Sequence, residues 1–203
     1  QDEIADEYWD YLNEALQEYT IGDPNLPKVD IGPIINKNSK DRLLAHISAL
    51  KKSAKRTIEH HHKQDKGDLF ITPIVFEIDS INQIDEENFG PILHFIRYKN
   101  ENLQQVIDEI NDTGYGLTMG VHSRIVSKAR RIFEAANVGN FYFNRDIVGA
   151  VVGVQPFGGQ GLSGTGPKAG GPGYLYNFVT EKTYTDNVMA TGGNIELLNK
   201  NAM

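Results

Sequence analysis

Ten of the twenty glycines in this 203-residue chain fall between Gly149 and Gly173. Glycine loses the most backbone entropy on folding, so such a density needs a reason. The usual reasons are left-handed backbone and close approach of the main chain to a ligand. Few charges interrupt this stretch, so its peptide N–H groups are available to an anion. A small-molecule site is the first chemistry it suggests. Within it, Gly159-Gln-Gly-Leu-Ser-Gly164 matches G-x-G-x-x-G. A dinucleotide fingerprint needs a strand before it and a helix beginning inside it. Here Pro156 precedes, and Thr165-Gly-Pro-Lys-Ala-Gly-Gly-Pro172 follows and cannot be helical. The stretch therefore reads as a substrate or cofactor loop of another kind.

Other constellations are weaker. In Glu86-Glu87-Asn88-Phe89-Gly90-Pro91, adjacent carboxylates on a turn are ordinarily only solvated, but Glu87 before a ring and a Gly-Pro turn could grip hydroxyls. His60-His61-His62 invites a metal, yet consecutive residues point in different directions and rarely close one site. Followed by Lys63, Asp65 and Lys66, the triplet reads as a solvated surface turn. Lys51, Lys52, Lys55 and Arg56 read as the solvated end of a helix, complementing its dipole. Ser163, His94 and Asp79 lack a Gly-x-Ser-x-Gly elbow and make no hydrolase triad. The chain has no cysteine, which removes disulfides, thiolate metal sites and a cysteine nucleophile from its own side chains.

The elements that must position these residues follow from periodicity. Apolar groups at Ile4, Ala5, Tyr8, Trp9, Leu12, Ala15, Leu16 and Tyr19 predict an amphipathic helix, stopped by Gly22-Asp23-Pro24. Asn38 or Ser39 is expected to cap a second helix with the stripe Leu43, Ile47, Leu50, Ala54. A strand is expected over 69–78, irregular at Pro73, and another from Ile92 to Tyr98. A helix bearing Leu103, Val106, Ile107 and Ile110 follows, then a strand near Leu117–His122, a helix at Ile125–Ala136 and a strand at Gly139–Phe143. This alternation implies an α/β fold with a largely parallel sheet and flanking helices. Ligands in such sheets sit beyond the carboxyl ends of the strands, so the loops at 144–173 and around Glu87 are expected to share one cleft. Tyr176–Val188 reads as extended and 191–203 as a polar tail.

The bulk numbers agree with a soluble globular chain: 39% hydrophobic and 23% charged residues. A net charge of −7 argues against nucleic acid as a partner. No apolar run approaches a membrane span and no signal peptide is visible, so a cytoplasmic location is expected. The chain opens Gln1-Asp2-Glu3 straight into a helix pattern, which reads as a piece of something longer.

Several ordered motifs together resemble the C-terminal part of the aldehyde dehydrogenase superfamily. These are Gly22-Asp23-Pro24 with Asp30-Ile-Gly-Pro33, Glu87-Asn-Phe-Gly-Pro91, Tyr115-Gly-Leu117, Asn144-Arg145 and, most specifically, Gln155-Pro-Phe-Gly-Gly159. The continuation Leu162-Ser-Gly-Thr-Gly-Pro-Lys-Ala-Gly-Gly-Pro172 and Thr191-Gly-Gly-Asn194 narrow the likeness. They are similar to the glutamate-semialdehyde (pyrroline-5-carboxylate) dehydrogenase branch, closest to that domain in the bifunctional proline utilization A family.

The resemblance implies residue roles. Glu87 would hold the nicotinamide-ribose hydroxyls of NAD, and Phe89 would pack near the nicotinamide. Phe157 would wall the aldehyde tunnel. The Gly170 and Gly171 amides would bind the substrate α-carboxylate, and Phe178 would lie along its aliphatic chain. It also implies a Cys thiolate that attacks the aldehyde, a Glu base and hydride transfer to NAD, none of them supplied here, so no catalytic residue and no metal ligand is assigned. The nucleophile, the dinucleotide-binding domain and, further off, a flavin (FAD) proline dehydrogenase half are expected upstream of Gln1. On this reading 1–175 is an incomplete catalytic domain, 176–190 an oligomerisation strand and 191–203 a tail. The implied partners are a small aldehyde, the missing N-terminal part and further copies of the chain. The alternative is a non-catalytic oligomerisation or complementation module.

Overall fold

The computed structural model describes residues 1–61, 67–151 and 153–187. His62, Lys63, Asp65 and Lys66, the last three residues of the expected oligomerisation strand and the tail with Thr191–Asn194 lie outside them.

Helix α1 (Asp2–Glu18) buries Ala5, Trp9 and Leu16, the stripe that its periodicity demands. Helix α2 (Lys37–Ser53) buries Leu43 and Leu50. Its cap is Asn36, whose side chain accepts the Ser39 N–H at 2.8 Å; the helix therefore starts earlier than Asn38 or Ser39 would set. Between these helices lies a three-stranded sheet, β1 (Arg56–Glu59), β2 (Ile74–Ile78) and β3 (Ile92–Ile96), in that spatial order. β1 runs antiparallel to β2, and β2 runs parallel to β3.

All five residues of β2 are buried, because a helix covers each face. Val75 meets Trp9, Leu16 and Ile58 on the α1 side. Ile74, Phe76 and Ile78 meet Leu50 on the α2 side. This is why the strand reads as a continuous apolar run rather than an alternation. Glu77 is the exception on the α1 side and is 4% exposed. It sits 2.5 Å from Arg56 Nε and 2.8 Å from Arg97 Nε, and both guanidinium groups also reach Asp6 on α1. Arg56 stacks over the Trp9 ring at 4.5 Å. An ionic weld thus fastens α1 to the sheet. Arg56 belongs to a strand that the sequence reading missed, and not to a solvated helix end. Its neighbours Lys51 and Lys55 pair with Glu59 and Asp79.

The second half holds α3 (Leu103–Asp112), β4 (Tyr115–Gly116), β5 (Thr118–Val121), α4 (Val126–Ala135), β6 (Asn140–Phe143) and β7 (Gln160–Gly161). β5 and β6 pair in parallel, and β4 and β7 pair antiparallel. Leu103, Ile107 and Ile132 form a separate core with Met119, Val121 and Phe141 packed against it. The α/β class and the flanking helices stand. The single, largely parallel sheet does not: among the described residues pairing is mixed and divided among three small sheets. The expected strand over 69–78 shortens to Ile74–Ile78, because Pro73 has no N–H for a ladder; its carbonyl instead accepts from His60. Residues 174–178 form a 3₁₀ turn where extended chain was expected from Tyr176.

His60 is 5% exposed, so the histidine triplet is no solvated turn at its first member. Its Nε2 lies 3.0 Å from the Tyr19 carbonyl. Ser163 and His94, considered for a triad, have separate partners: Ser163 Oγ accepts the Gly116 N–H, and His94 contacts His46.

Candidate functional site

The glycine-rich segment leaves β6 at Asn144, a left-handed residue (φ 54°) whose side-chain amide pairs with both backbone groups of Ser123. The chain then doubles back along β5, where Ile147 lies over Gly120. The result is a cavity of about 580 Å³ whose lining includes Leu117, Thr118, Ile147, Val148, Phe157 and Gly170. It is predominantly apolar, of a size that suits a small organic ligand. The parallel-sheet rule places a ligand beyond the carboxyl ends of the strands. The reversal of this segment brings the cavity alongside Leu117 and Thr118, where β5 begins.

Two walls of the cavity are joined by main-chain bonds. Phe157 N–H donates to Ala169 O at 3.0 Å, and Ala169 N–H donates to Phe157 O at 2.9 Å. Phe157 keeps 36% of its surface exposed. Gly170 follows with φ 71°, a conformation that only glycine adopts without strain. Among the described residues its N–H has no hydrogen-bond partner. The Gly171 N–H, expected beside it, donates instead to Lys168 O at 3.0 Å, closing a tight turn. The two amides assigned to a carboxylate are therefore divided, with Gly170 available and Gly171 engaged. A methyl at Gly170 would stand 3.8 Å from the Gly153 nitrogen, so the Gly153 main chain faces the same space.

The remaining expected site residues lie apart from this cavity. Glu87 and Phe89 line a shallow recess of about 40 Å³ with Ile35, Ser39, Arg42 and Leu43, against α2. Gly90 seats this turn on Leu43, where a side chain would meet Leu43 Cδ1 at 2.6 Å. Glu87 is exposed, and Phe89 shows 80% of its surface. The single cleft expected for this loop and the glycine-rich one is not formed by the described residues alone, because the two loops belong to different sheets. Phe178 is 71% exposed and packs edge-on against Tyr174 at 5.5 Å, outside the cavity lining.

The Glu87–Phe89 turn has the features that one end of a dinucleotide needs: a solvent-facing carboxylate that can accept from two hydroxyls, and an uncovered flat ring. The G-x-G-x-x-G stretch does not supply the other end. Gln160–Gly161 form β7 on β4, and no α-helix begins after it among the described residues.

Sequence reasoning missed two polar clusters. Asn140 is 8% exposed and ties β6 to the glycine segment through Pro156 O (3.0 Å) and Gly158 N–H (3.2 Å). His46 on α2 and His94 on β3 bring their Nε2 atoms within 2.9 Å. Burial, and then the neighbouring His46, hold the His94 imidazole down at about 4. Burial lowers His46 as well, against the pull of Asp85 and Glu86. Helix periodicity marks neither cluster; only the separation of Gly139-Asn140 from Pro156-Phe-Gly158 could have drawn attention to the first.

The aldehyde dehydrogenase family model matches residues 1–184. The chain is 43% identical over 189 residues to the bifunctional protein PutA of Klebsiella aerogenes, covering 90% of this chain and 14% of that protein. It superposes on a structure of proline utilization A (PutA) with proline bound in remote sites, with a TM-score of 0.85 and 48% identity, over 94% of this chain and 19% of that one. It also superposes on a 1-pyrroline-5-carboxylate dehydrogenase from Thermus with bound NAD, with a TM-score of 0.71 and 36% identity, over 84% and 33% of the two chains. The chain thus spans about a seventh of the curated PutA relative that it matches.

Proposed function

The chain belongs to the aldehyde dehydrogenase family, and from that membership we propose that it forms the aldehyde- and carboxylate-binding portion of an NAD-dependent L-glutamate-γ-semialdehyde (pyrroline-5-carboxylate) dehydrogenase acting in proline catabolism. The observation that carries this reading is the cavity of about 580 Å³ with Phe157 on one wall and the unpartnered Gly170 N–H on the other. Apolar surface suits the aliphatic part of a semialdehyde, and a free main-chain amide suits its α-carboxylate. The likeness to PutA and to 1-pyrroline-5-carboxylate dehydrogenase supports that substrate.

Each residue then has a task. Gly170 N–H holds a carboxylate oxygen, with Gly171 shaping the turn behind it. Phe157 excludes water from the aliphatic chain and aligns it. Glu87 accepts hydrogen bonds from the nicotinamide-ribose hydroxyls, and Phe89 offers its face to the nicotinamide. Phe178, on the exposed 3₁₀ turn, reaches the substrate chain only in an assembled enzyme. NAD, when bound, supplies the hydride acceptor; flavin chemistry belongs to a separate domain.

The polypeptide holds no cysteine, so it forms no thiohemiacetal by itself. We expect the purified chain to produce no NADH from glutamate-γ-semialdehyde and NAD. The full product of the coding sequence that carries this segment is expected to produce it. Protein-dependent NADH formation by the 203-residue chain alone would refute the assignment of the nucleophile elsewhere. Failure of the full product to oxidise this aldehyde would refute the substrate.

The second reading, a module that assembles without catalysing, draws on the uncovered side chains of Leu175, Tyr176, Phe178, Val179 and Tyr184. Restored NADH formation on mixing with an upstream polypeptide would favour complementation. A homodimer without ligand affinity would favour assembly alone.

A further inference from the structure

We propose that Asn140 is the positioning residue of the cavity, holding both of its walls through one continuous row of hydrogen bonds. Its Nδ2 donates to Pro156 O at 3.0 Å, and its Oδ1 accepts from Gly158 N–H at 3.2 Å. These two groups flank Phe157, so one side chain fixes the backbone on either side of the ring. The Phe157 main chain exchanges both of its bonds with Ala169, which places Gly170. Asn140 imitates one rung of a ladder, donor and acceptor together, where β6 itself cannot pair with the segment.

Two further contacts brace the row. A methyl at Gly139 would lie 1.8 Å from Gly158 O, so the two backbones touch there. Lys168, just before Ala169, donates its ammonium to Gly139 O. Asn140 is buried and is absent from the cavity lining, so it acts through Phe157 and Ala169 and does not touch a ligand. A buried amide with both ends satisfied specifies one arrangement, because any shift leaves a polar group unpaired.

The test uses the 203-residue chain and Asn140→Asp. The substituted carboxylate keeps the acceptor for Gly158 N–H but sets a negative oxygen against Pro156 O. Protonation restores a donor of the same shape. At neutral pH, amide exchange at Phe157 and Ala169 is expected to quicken by about tenfold, while the α3 and α4 amides of the same core stay protected. Protection should return as pH falls from about 8 to about 5, since a buried carboxyl titrates high. A purely structural role would loosen the α3 and α4 amides of the same core as much as these two. Unchanged protection at Phe157 and Ala169, or equal loss throughout α3 and α4, overturns the proposal. Should the carboxylate variant unfold, Asn140→Ser, which buries no charge and does not titrate, carries the neutral-pH exchange readout with the same expected and overturning results.

A second arm rests on the dehydrogenase reading. Titration with L-glutamate should shift the Gly170 amide of the native chain, and Asn140→Asp should weaken that binding by about tenfold at neutral pH. Absence of glutamate binding by the native chain counts against the dehydrogenase reading alone. Undiminished glutamate binding in a variant that has lost Phe157 protection overturns the positioning role.

Discussion

At the scale of single residues, the site depends on atoms that few side chains could replace. Gly139 is the clearest case. Any Cβ there would collide with the Gly158 carbonyl, and both partners are main chain, so neither yields cheaply. Gly139→Ala should cost about 1–3 kcal/mol by overpacking and displace the Phe157–Ala169 bridge. Urea unfolding measures the first effect and the Ala169 amide shift reports the second. Glu77 is the corresponding case for the scaffold. Its carboxylate neutralises Arg56 and Arg97 while 4% exposed. Glu77→Ala leaves two guanidinium groups facing each other over Asp6 and should lower stability by about 3–5 kcal/mol in urea or thermal melts. Much at this scale was legible in the sequence. The glycine density marked the cavity segment, and Phe157 and Gly170 do line one space. Gly171 did not follow, because its amide is consumed by a turn whose acceptor, Lys168 O, no periodicity announces. Asn140 was silent for the same reason: its value lies in bonds to residues sixteen and eighteen positions away.

At the scale of elements, the helices were read well and the sheets less so. α1, α3 and α4 carry apolar stripes that define them locally, and the bounds read for α1 and α4 came within a residue or two. β1 was missed because Arg-Thr-Ile-Glu is short, and its charges look like surface until Glu77 and Asp6 are seen opposite. The run at 69–78 looked like one strand because apolar content does not reveal where a ladder can begin; Pro73 decides that. α2 and β3 are further connected through His46 and His94, a pair joined by one shared proton between the Nε2 atoms. A second proton at that position would set two N–H groups head to head. The native His94 titrates near 4 rather than at its ordinary 6.5, so the unfolded chain takes up this proton first. Stability from the neutral pair is therefore complete above about pH 6.5 and is lost as pH falls toward about 4. Arg42, Asp85 and Glu86 stand around His46, where burial lowers its titration and the two acids favour the charged form. His94→Gln should flatten the dependence of unfolding free energy on pH across this window. An unchanged slope in denaturant titrations would show that the pair is not the acid-sensitive joint between α2 and the sheet.

At the scale of the whole molecule, the α/β class was evident from alternation, whereas its division was not. Pattern counts elements but does not say which strands share a ladder, and here three small sheets take the place of one. Among the described residues the Glu87 turn and the glycine-rich segment line separate cavities for that reason. The uncovered apolar side chains from Leu175 to Tyr184 are numerous for a lone soluble chain. Sedimentation at rising concentration should show self-association, and Tyr176→Asp with Leu175→Asp should abolish it; a strictly monomeric native chain would exclude a homo-oligomeric role for this surface.

The apolar clusters on either side of β2, between α1 and α2, are separate from the cluster under α3 and α4, and this also bears on heating. Each can melt on its own terms, so a calorimetric scan of the free chain should resolve two peaks rather than one. A dinucleotide gripped at Glu87 by the first core, with its reactive end over the cavity of the second, would make the two halves thermally inseparable. Merging of those peaks on adding NAD would then register occupancy without any measurement of turnover.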